Sequence, residues 1–224
     1  DEESFLQEYM CTPADDRAAF LSHDCVRRCL YKDGEAWREP FSPENPQYLG
    51  VDVGRTRDLT VFWLLEKCGD VLFTRDVRVF RDVPFSEQEV VLHSYLRNPY
   101  LRRAAVDMSG LGRQFAERAA ERYGSSRVEG VAFTRQTKEI LAYPLRTRFE
   151  NATVRIPDDM EILADLRAVK KEVSGGGVRF AAERTADGHS DRFWALALAS
   201  HAARENFGGS AVSLVSRRDS GFVW

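Results

Sequence analysis

Apolar runs closed by turn residues organise the chain from Gln47 onward. Tyr48 to Val53 is a short apolar run that ends at Asp52-Val53-Gly54, and Leu59 to Lys67 is a second. Cys68-Gly69-Asp70 supplies a tight turn into a third run, Val71 to Phe80, so this stretch predicts a three-stranded antiparallel meander. Ser86 then caps a helix to about Arg97, with Glu89 at the N3 position completing a capping box. Arg103 to Asp107 reads as a fourth strand, Leu111 to Tyr123 as a helix stopping near Gly124, and Val128 to Phe133 as a fifth strand. Thr137 to Glu150 predicts a helix with Ile140, Leu141, Leu145 and Phe149 on its apolar side, bent by Pro144. A short strand from Thr153 to Ile156 leads to a helix beginning near Asp158. Val169 to Val173 and Val178 to Ala182 flank Ser174-Gly175-Gly176-Gly177, a hairpin whose tip should be mobile. A strongly apolar helix closes the pattern, from about Ser190 to Glu205.

The two ends read differently. Residues 1–38 predict short amphipathic helices, and Glu39-Pro40-Phe41-Ser42-Pro43-Glu44-Asn45-Pro46 predicts a hinge, since three prolines in seven residues stop any helix. The tail from Phe207 to Trp224 is Ser/Gly-rich and expected to be partly disordered. Three strands up and down, then strands alternating with helices, make an α/β chain with a mixed sheet flanked by helices. That order is the order of the ribonuclease H-like fold, in which strands one and four are neighbours.

Composition narrows the class. At 224 residues, 43% hydrophobic and 30% charged, the chain suits one sizeable globular domain with an appendage. No run approaches the ~18 consecutive apolar residues of a membrane span, and the acidic start lacks a signal-peptide pattern. It also lacks an initiator Met, so the chain is expected to be excised from a longer one. The formal net charge of −3 argues against a general nucleic-acid coat. Its distribution does not exclude a nuclease, because residues 1–39 hold ten acids and five bases while the remainder is net +2. The four cysteines lack a secreted disulfide spacing. Cys11, His23, Cys25 and Cys29 would allow zinc, but Cys25 and Cys29 one helical turn apart also suit packing. His93 and His201 read, with His23, as packing or surface residues.

Three acidic motifs carry the candidate chemistry. Asp52 and Asp107 end strands one and four, and Asp191 begins the last helix, so all three would meet at one sheet edge. Carboxylates in contact repel unless divalent cations lie between them. Three oxygen donors suit Mg²⁺ or Mn²⁺, and two such ions roughly 3.5–4 Å apart can drive in-line phosphodiester hydrolysis. Asp58 is either a supporting ligand or the cap of strand two. His189, beside Asp187, is a ligand, a proton carrier or a capping residue. Arg135, Lys138, Arg146 and Arg148 follow strand five and would grip a DNA backbone or form a solvated face, with Lys138 best placed. Lys170, Lys171 and Arg179 flank the glycine hairpin, where they would touch DNA or protect an edge.

Gly50-Val51-Asp52-Val53-Gly54-Arg55, Ala105-Val106-Asp107-Met108-Ser109-Gly110 and Asp187-Gly188-His189-Ser190-Asp191-Arg192-Phe193-Trp194-Ala195 together resemble the nuclease domain of tailed-phage large terminase subunits, with Mu-like and thermophilic-phage relatives nearest. The resemblance covers about residues 47–205. It implies a helical linker over residues 1–46 that follows an ATPase domain, a nuclease domain over 47–205, and a flexible tail over 206–224. It implies an endonuclease that cuts concatemeric double-stranded viral DNA during packaging, in the cytoplasm of the infected bacterial host and outside the mature virion. Asp52, Asp107 and Asp191 would be the metal-binding carboxylates, supported by Asp58, Asp187 and His189. The partners implied are double-stranded DNA, the portal and procapsid, the small terminase subunit and the ATPase domain of the full-length chain. The chain has no G-x-x-x-x-G-K-[ST] motif, so no ATP hydrolysis is expected of it. The rival readings are a Holliday-junction resolvase, an actin-like or sugar-kinase-like ATPase, and a catalytically silent portal-docking module.

Overall fold

A computed structural model describes residues 19–32, 37–40, 42, 44–54, 59–174, 177–182 and 190–204 of the chain. In chain order the elements are α1 (His23–Arg28), β1 (Gln47–Asp52), β2 (Thr60–Cys68), β3 (Val71–Phe80), α2 (Phe85–Leu96), β4 (Leu101–Asp107) and α3 (Gly112–Tyr123). There follow β5 (Val128–Val131), α4 (Arg135–Glu150), β6 (Val154–Arg155), α5 (Met160–Ala168), β7 (Val169–Ser174), β8 (Gly177–Ala182) and α6 (Asp191–Ala202).

Six strands form one mixed sheet in the order β5-β4-β1-β2-β3-β6, and β7 pairs with β8 as a separate hairpin. The β1–β2–β3 meander is antiparallel, while β4 runs parallel to β1 and β5 parallel to β4. Both faces are covered. Leu49, Val51, Phe62, Leu64 and Val106 point into one core with Leu92, Leu96 and Phe115 of α2 and α3. The alternate residues Trp63, Leu65 and Ala105 point into the other, against Leu141 and Leu145 of α4 and the length of α6. This period of two is what a two-sided sheet requires of its strands. α6 is buried almost all round, which explains why it reads as apolar rather than amphipathic.

Gly50 lets α6 sit directly on β1. A Cβ there would overlap the Ala195 carbonyl oxygen and the Ala199 amide nitrogen, so the strand and helix backbones are in contact. The contact fixes where Asp191 lies, because Asp191, Ala195 and Ala199 follow one another at four-residue spacing along α6.

The hinge and the segment before it are fastened to the sheet. Phe20, Leu21, Val26 and Cys29 belong to the α6-side core, and the Tyr31 hydroxyl donates to the Thr74 carbonyl at 2.8 Å. Glu66, fully buried on β2, accepts from Ser42 N at 3.2 Å, Asn45 Nδ2 at 2.6 Å and Arg75 Nε at 2.5 Å. Arg75 donates in turn to the Trp37 carbonyl at 3.2 Å.

Two helix starts differ from expectation. Pro84, not Ser86, is the N-cap of α2, and no side chain caps that end. Gln88 Nε2 instead donates back to the Val83 carbonyl at 2.8 Å, while Glu89 pairs with Arg118 of α3 at 3.2 Å and so is not available for a capping box. α4 begins at Arg135, two residues before Thr137, because Thr134 and Thr137 form a reciprocal capping box. Pro144 lies within α4, which continues through it to Glu150. Residues 1–18, the glycines at 175 and 176, and the tail from 205 lie outside the described residues.

Candidate active site

Asp52 closes β1 and Asp107 closes β4. The last register pair between these parallel strands is Val51 with Val106, so the two aspartates stand one step beyond it, side by side. Gly50 faces α6, and two residues on, Asp52 projects from that same face. Ala105 and Asp107 repeat the relation on β4. Asp191 is the first residue of α6, a position where the helix dipole favours a carboxylate. Its Oδ2 accepts from the Leu59 amide at 2.9 Å, and Leu59 lies just before β2, whose Val61 pairs with Asp52. All three carboxylates therefore occupy one end of the sheet on one face, and all three are buried, at 7%, 4% and 6% exposure for Asp52, Asp107 and Asp191.

The loop after β4 keeps its aspartate in place. Asp107 Oδ1 accepts from Ser109 N at 2.9 Å, and the Ser109 hydroxyl accepts from Phe133 N at 3.0 Å, tying the β4 and β5 ends together. Gly112 is required in this turn, because a Cβ would collide with the Asp107 carbonyl oxygen. Ser190, the N-cap of α6, takes φ 63° without a side-chain cap, a left-handed conformation that costs a non-glycine residue of order 1 kcal/mol.

Lys138 brings the positive charge. It comes from the first turn of α4, and its Nζ stands 4.6 Å from the Trp194 ring centroid and 5.4 Å from that of Phe133. Burial pulls the Lys138 ammonium below the usual lysine range, and nearby Arg179 adds to this, while Asp52 and Asp107 pull it upward. Trp194, three residues after Asp191, was not anticipated as a platform for this lysine. The only signal was its i+3 spacing from an acid. Arg179 on β8 was anticipated, with Lys170 and Lys171, as a residue that would touch DNA or protect an edge.

The remaining candidates scatter. Arg135 stands at the α4 start, whereas Arg146 Nε pairs with Glu150 at 2.7 Å and its guanidinium lies over Phe20. Arg148 is half-buried farther along α4. Lys171 lies over the Tyr143 ring at 5.3 Å, and Lys170 forms a backbone bridge to Ala19. His201 does more than pack, since its Nε2 lies 3.1 Å from Glu129 Oε2 across α6 and β5. Asp58, Asp187 and His189 lie outside the described residues.

Carboxylate oxygens are hard donors of the kind divalent Mg²⁺ or Mn²⁺ takes. Among the described residues, no three His, Cys, Asp or Glu side chains form a group that could hold a metal ion. The donor chemistry of the neighbouring pair Asp52 and Asp107 suits such an ion, and Asp191 enters the same end of the sheet from α6. Of the cysteines, Cys11 lies outside the described residues, while burial pushes the Cys29 thiol up to about 11 and its Sγ lies 3.5 Å from the Phe149 carbonyl oxygen. Cys29 packs.

A model of the terminase RNaseH-like domain matches residues 49–203, a span that contains all three buried aspartates. The chain belongs to the terminase RNaseH-like domain family. Its fold is accordingly ribonuclease H-like, with the antiparallel meander followed by parallel strands. Within this terminase family the chain is 28% identical over 160 residues to the Mu-like prophage FluMu protein gp28 of Haemophilus influenzae, covering 70% of this chain and 30% of that protein. It is 31% identical over 134 residues to the probable terminase large subunit gp28 of Escherichia phage Mu, covering 59% of this chain and 24% of the relative. The chain thus spans less than a third of either relative. The large terminase nuclease of thermophilic phage G20c with bound cobalt shares the fold at TM-score 0.63 and 22% identity, over 82% of this chain and 97% of that one. The HK97 bacteriophage large terminase shares it at TM-score 0.59 and 15% identity, over 82% and 43%.

Proposed function

We propose that this terminase-family chain is a metal-dependent DNA endonuclease that cuts concatemeric double-stranded viral DNA during genome packaging. The observation that carries the reading is the gathering of three buried carboxylates, from two strand ends and a helix start, at one end of a terminase-family sheet. Proteins rarely bury like charges together without a purpose, because each additional carboxylate raises the cost of the others. Relatives named as large terminase nucleases have been seen with bound magnesium, cobalt and zinc, which supports divalent metal use at this site.

In this reading Asp52 and Asp107 would hold the divalent cation, with Asp191 as the third carboxylate. Asp58 and Asp187 would lend support, and His189 would serve as a ligand or proton carrier. One or two bound Mg²⁺ or Mn²⁺ ions would supply an activated water and stabilise the leaving 3′ oxygen. Ser109 and Leu59 keep the carboxylates of Asp107 and Asp191 oriented through their backbone N–H groups. Lys138, held against Trp194, sets the charge balance beside Asp52 and Asp107 and faces the incoming backbone phosphates. Arg135 stands on the same turn of α4. Arg148, Lys170 and Lys171 extend a basic surface for the DNA, and Arg146 joins it only by giving up Glu150.

The reading carries the family's wider setting with it. The chain would act beside an ATPase domain, with the portal, procapsid and small terminase subunit as partners, in the cytoplasm of the infected host and outside the mature virion. No helix among the described residues is long and apolar enough to cross a membrane. Incubating supercoiled plasmid with the chain in Mg²⁺, Mn²⁺ or EDTA tests the activity. Nicked and linear products in either metal and none in EDTA are expected; cleavage that EDTA leaves untouched contradicts the metal-dependent mechanism.

A further inference from the structure

Between the first turn of α4 and strand β8 lies a cleft of about 260 Å³. Phe133 and Phe180 give it an aromatic lining, and Arg135, Lys138 and Arg179 contribute three cations. Among the described residues, no acidic one lines it. Lys138 links it to the carboxylates, since it lines the cleft and its charge interacts with Asp52 and Asp107 as well as with Arg179. An anion entering a small space lined by three cations is attracted by all of them. Ligand pockets for drug-sized molecules begin near ~300 Å³, so this cleft has room for a phosphate and its sugar and not for the width of a duplex. Planar guanidinium forks suit the tetrahedral oxygens of a phosphate, and contacts of this type position a strand without reading its sequence.

We propose that this cleft is a phosphate subsite, in which Arg179 of β8 and Arg135 of α4 receive one phosphate of the nucleic-acid strand that reaches Asp52 and Asp107. The proposal rests on the nuclease reading and sharpens it, because it selects a single place among the scattered basic residues. Arg146 is tied to Glu150 and Lys171 lies over Tyr143, so neither enters the cleft. Arg179, on the hairpin, becomes the partner of α4 across it. A strand seated there is gripped from two separate elements, and the phosphate it presents sets which bond faces the carboxylates.

Binding measured in EDTA by the full 224-residue chain tests this without any cleavage. The probe is a short fluorescent single strand carrying either a 5′-phosphate or a 5′-hydroxyl, titrated by anisotropy over a range of salt. Arg179→Gln and Arg135→Gln should each weaken binding about fivefold to tenfold and reduce the slope of log affinity against log salt by about 0.7. Arg118→Gln, on α3 and paired with Glu89 outside the cleft, should change neither. A preference for the 5′-phosphate that Arg179→Gln removes would assign the subsite to a strand end. Equal binding of both probes, with the Arg179 effect retained, would assign it to an internal phosphodiester. The proposal is overturned if Arg179→Gln matches Arg118→Gln in affinity and salt slope. Plasmid cleavage in metal stands or falls separately, so loss of the subsite and loss of the nuclease reading are distinguishable.

Discussion

Buried carboxylates occur in two kinds of surroundings in this molecule. Toward one end of β2, Glu66 is met by Arg75 at 2.5 Å and by the donors of Ser42 and Asn45, with Arg75 anchored in turn on Trp37. Asp165 on α5 is held likewise by Arg192, which also pairs with Glu161. At the other end of the sheet, Asp52 and Asp107 stand side by side, and one ammonium, that of Lys138, acts on both. Arginine forks close the first kind of site and make it part of the architecture. The second brings like charges to one end of the sheet. The first holds the chain together, and the second is where the proposed nuclease reading puts the chemistry.

The difference can be broken from either side. Glu66→Ala leaves Arg75 buried without its partner and should cost ~3–5 kcal/mol, read as a fall in the urea midpoint, while metal-dependent cleavage at low temperature persists. Adding divalent metal at a hundred times its dissociation constant should stabilise the wild type by about 2.7 kcal/mol. Glu66→Gln should keep that gain, and Asp52→Asn should lose it, in a thermal-shift titration. Ser190→Gly relieves the left-handed strain at the carboxylate end and should raise stability by about 0.5–1 kcal/mol. The smallest effect concerns Glu129. Burial alone would raise its pKa, but the hydrogen bond and charge of His201, with Arg103, outweigh burial and hold it below the usual carboxylate range. Its contribution is therefore present at neutral pH and fades as pH falls through that lowered value. Glu129→Gln should be less stable than the wild type at pH 7, and the gap should close in acid, below about 4.5.

What was legible in the chain followed from local patterning. β3 runs from Val71 to Phe80 as expected, because the Gly69 turn, at φ 59°, and the alternation after it are short-range signals. Asp52 and Asp107 were legible as strand-end residues for the same reason, and their meeting followed from the strand order. Thr134 was missed as a cap because its partner at N3 is Thr137, where a glutamate or glutamine is the usual sign. The start of α2 was misplaced because Gln88 reaches back to Val83 and Glu89 reaches across to Arg118. Nothing near Glu66 in sequence announces that Trp37, Ser42, Asn45 and Arg75 converge on it. The cleft that joins Arg179 to Arg135 is equally a product of tertiary folding, formed by elements more than forty positions apart.

The most direct measurement compares Asp107→Asn with Glu66→Gln, scoring each for Mn²⁺-dependent plasmid cleavage and for melting temperature. Asp107→Asn should lose cleavage by about three orders of magnitude, matching several kcal/mol of metal-borne transition-state stabilisation, and in EDTA melt at or above the wild-type temperature. Glu66→Gln should melt lower and cut at close to the wild-type rate while folded. Cleavage by folded Asp107→Asn at the wild-type rate would contradict the account.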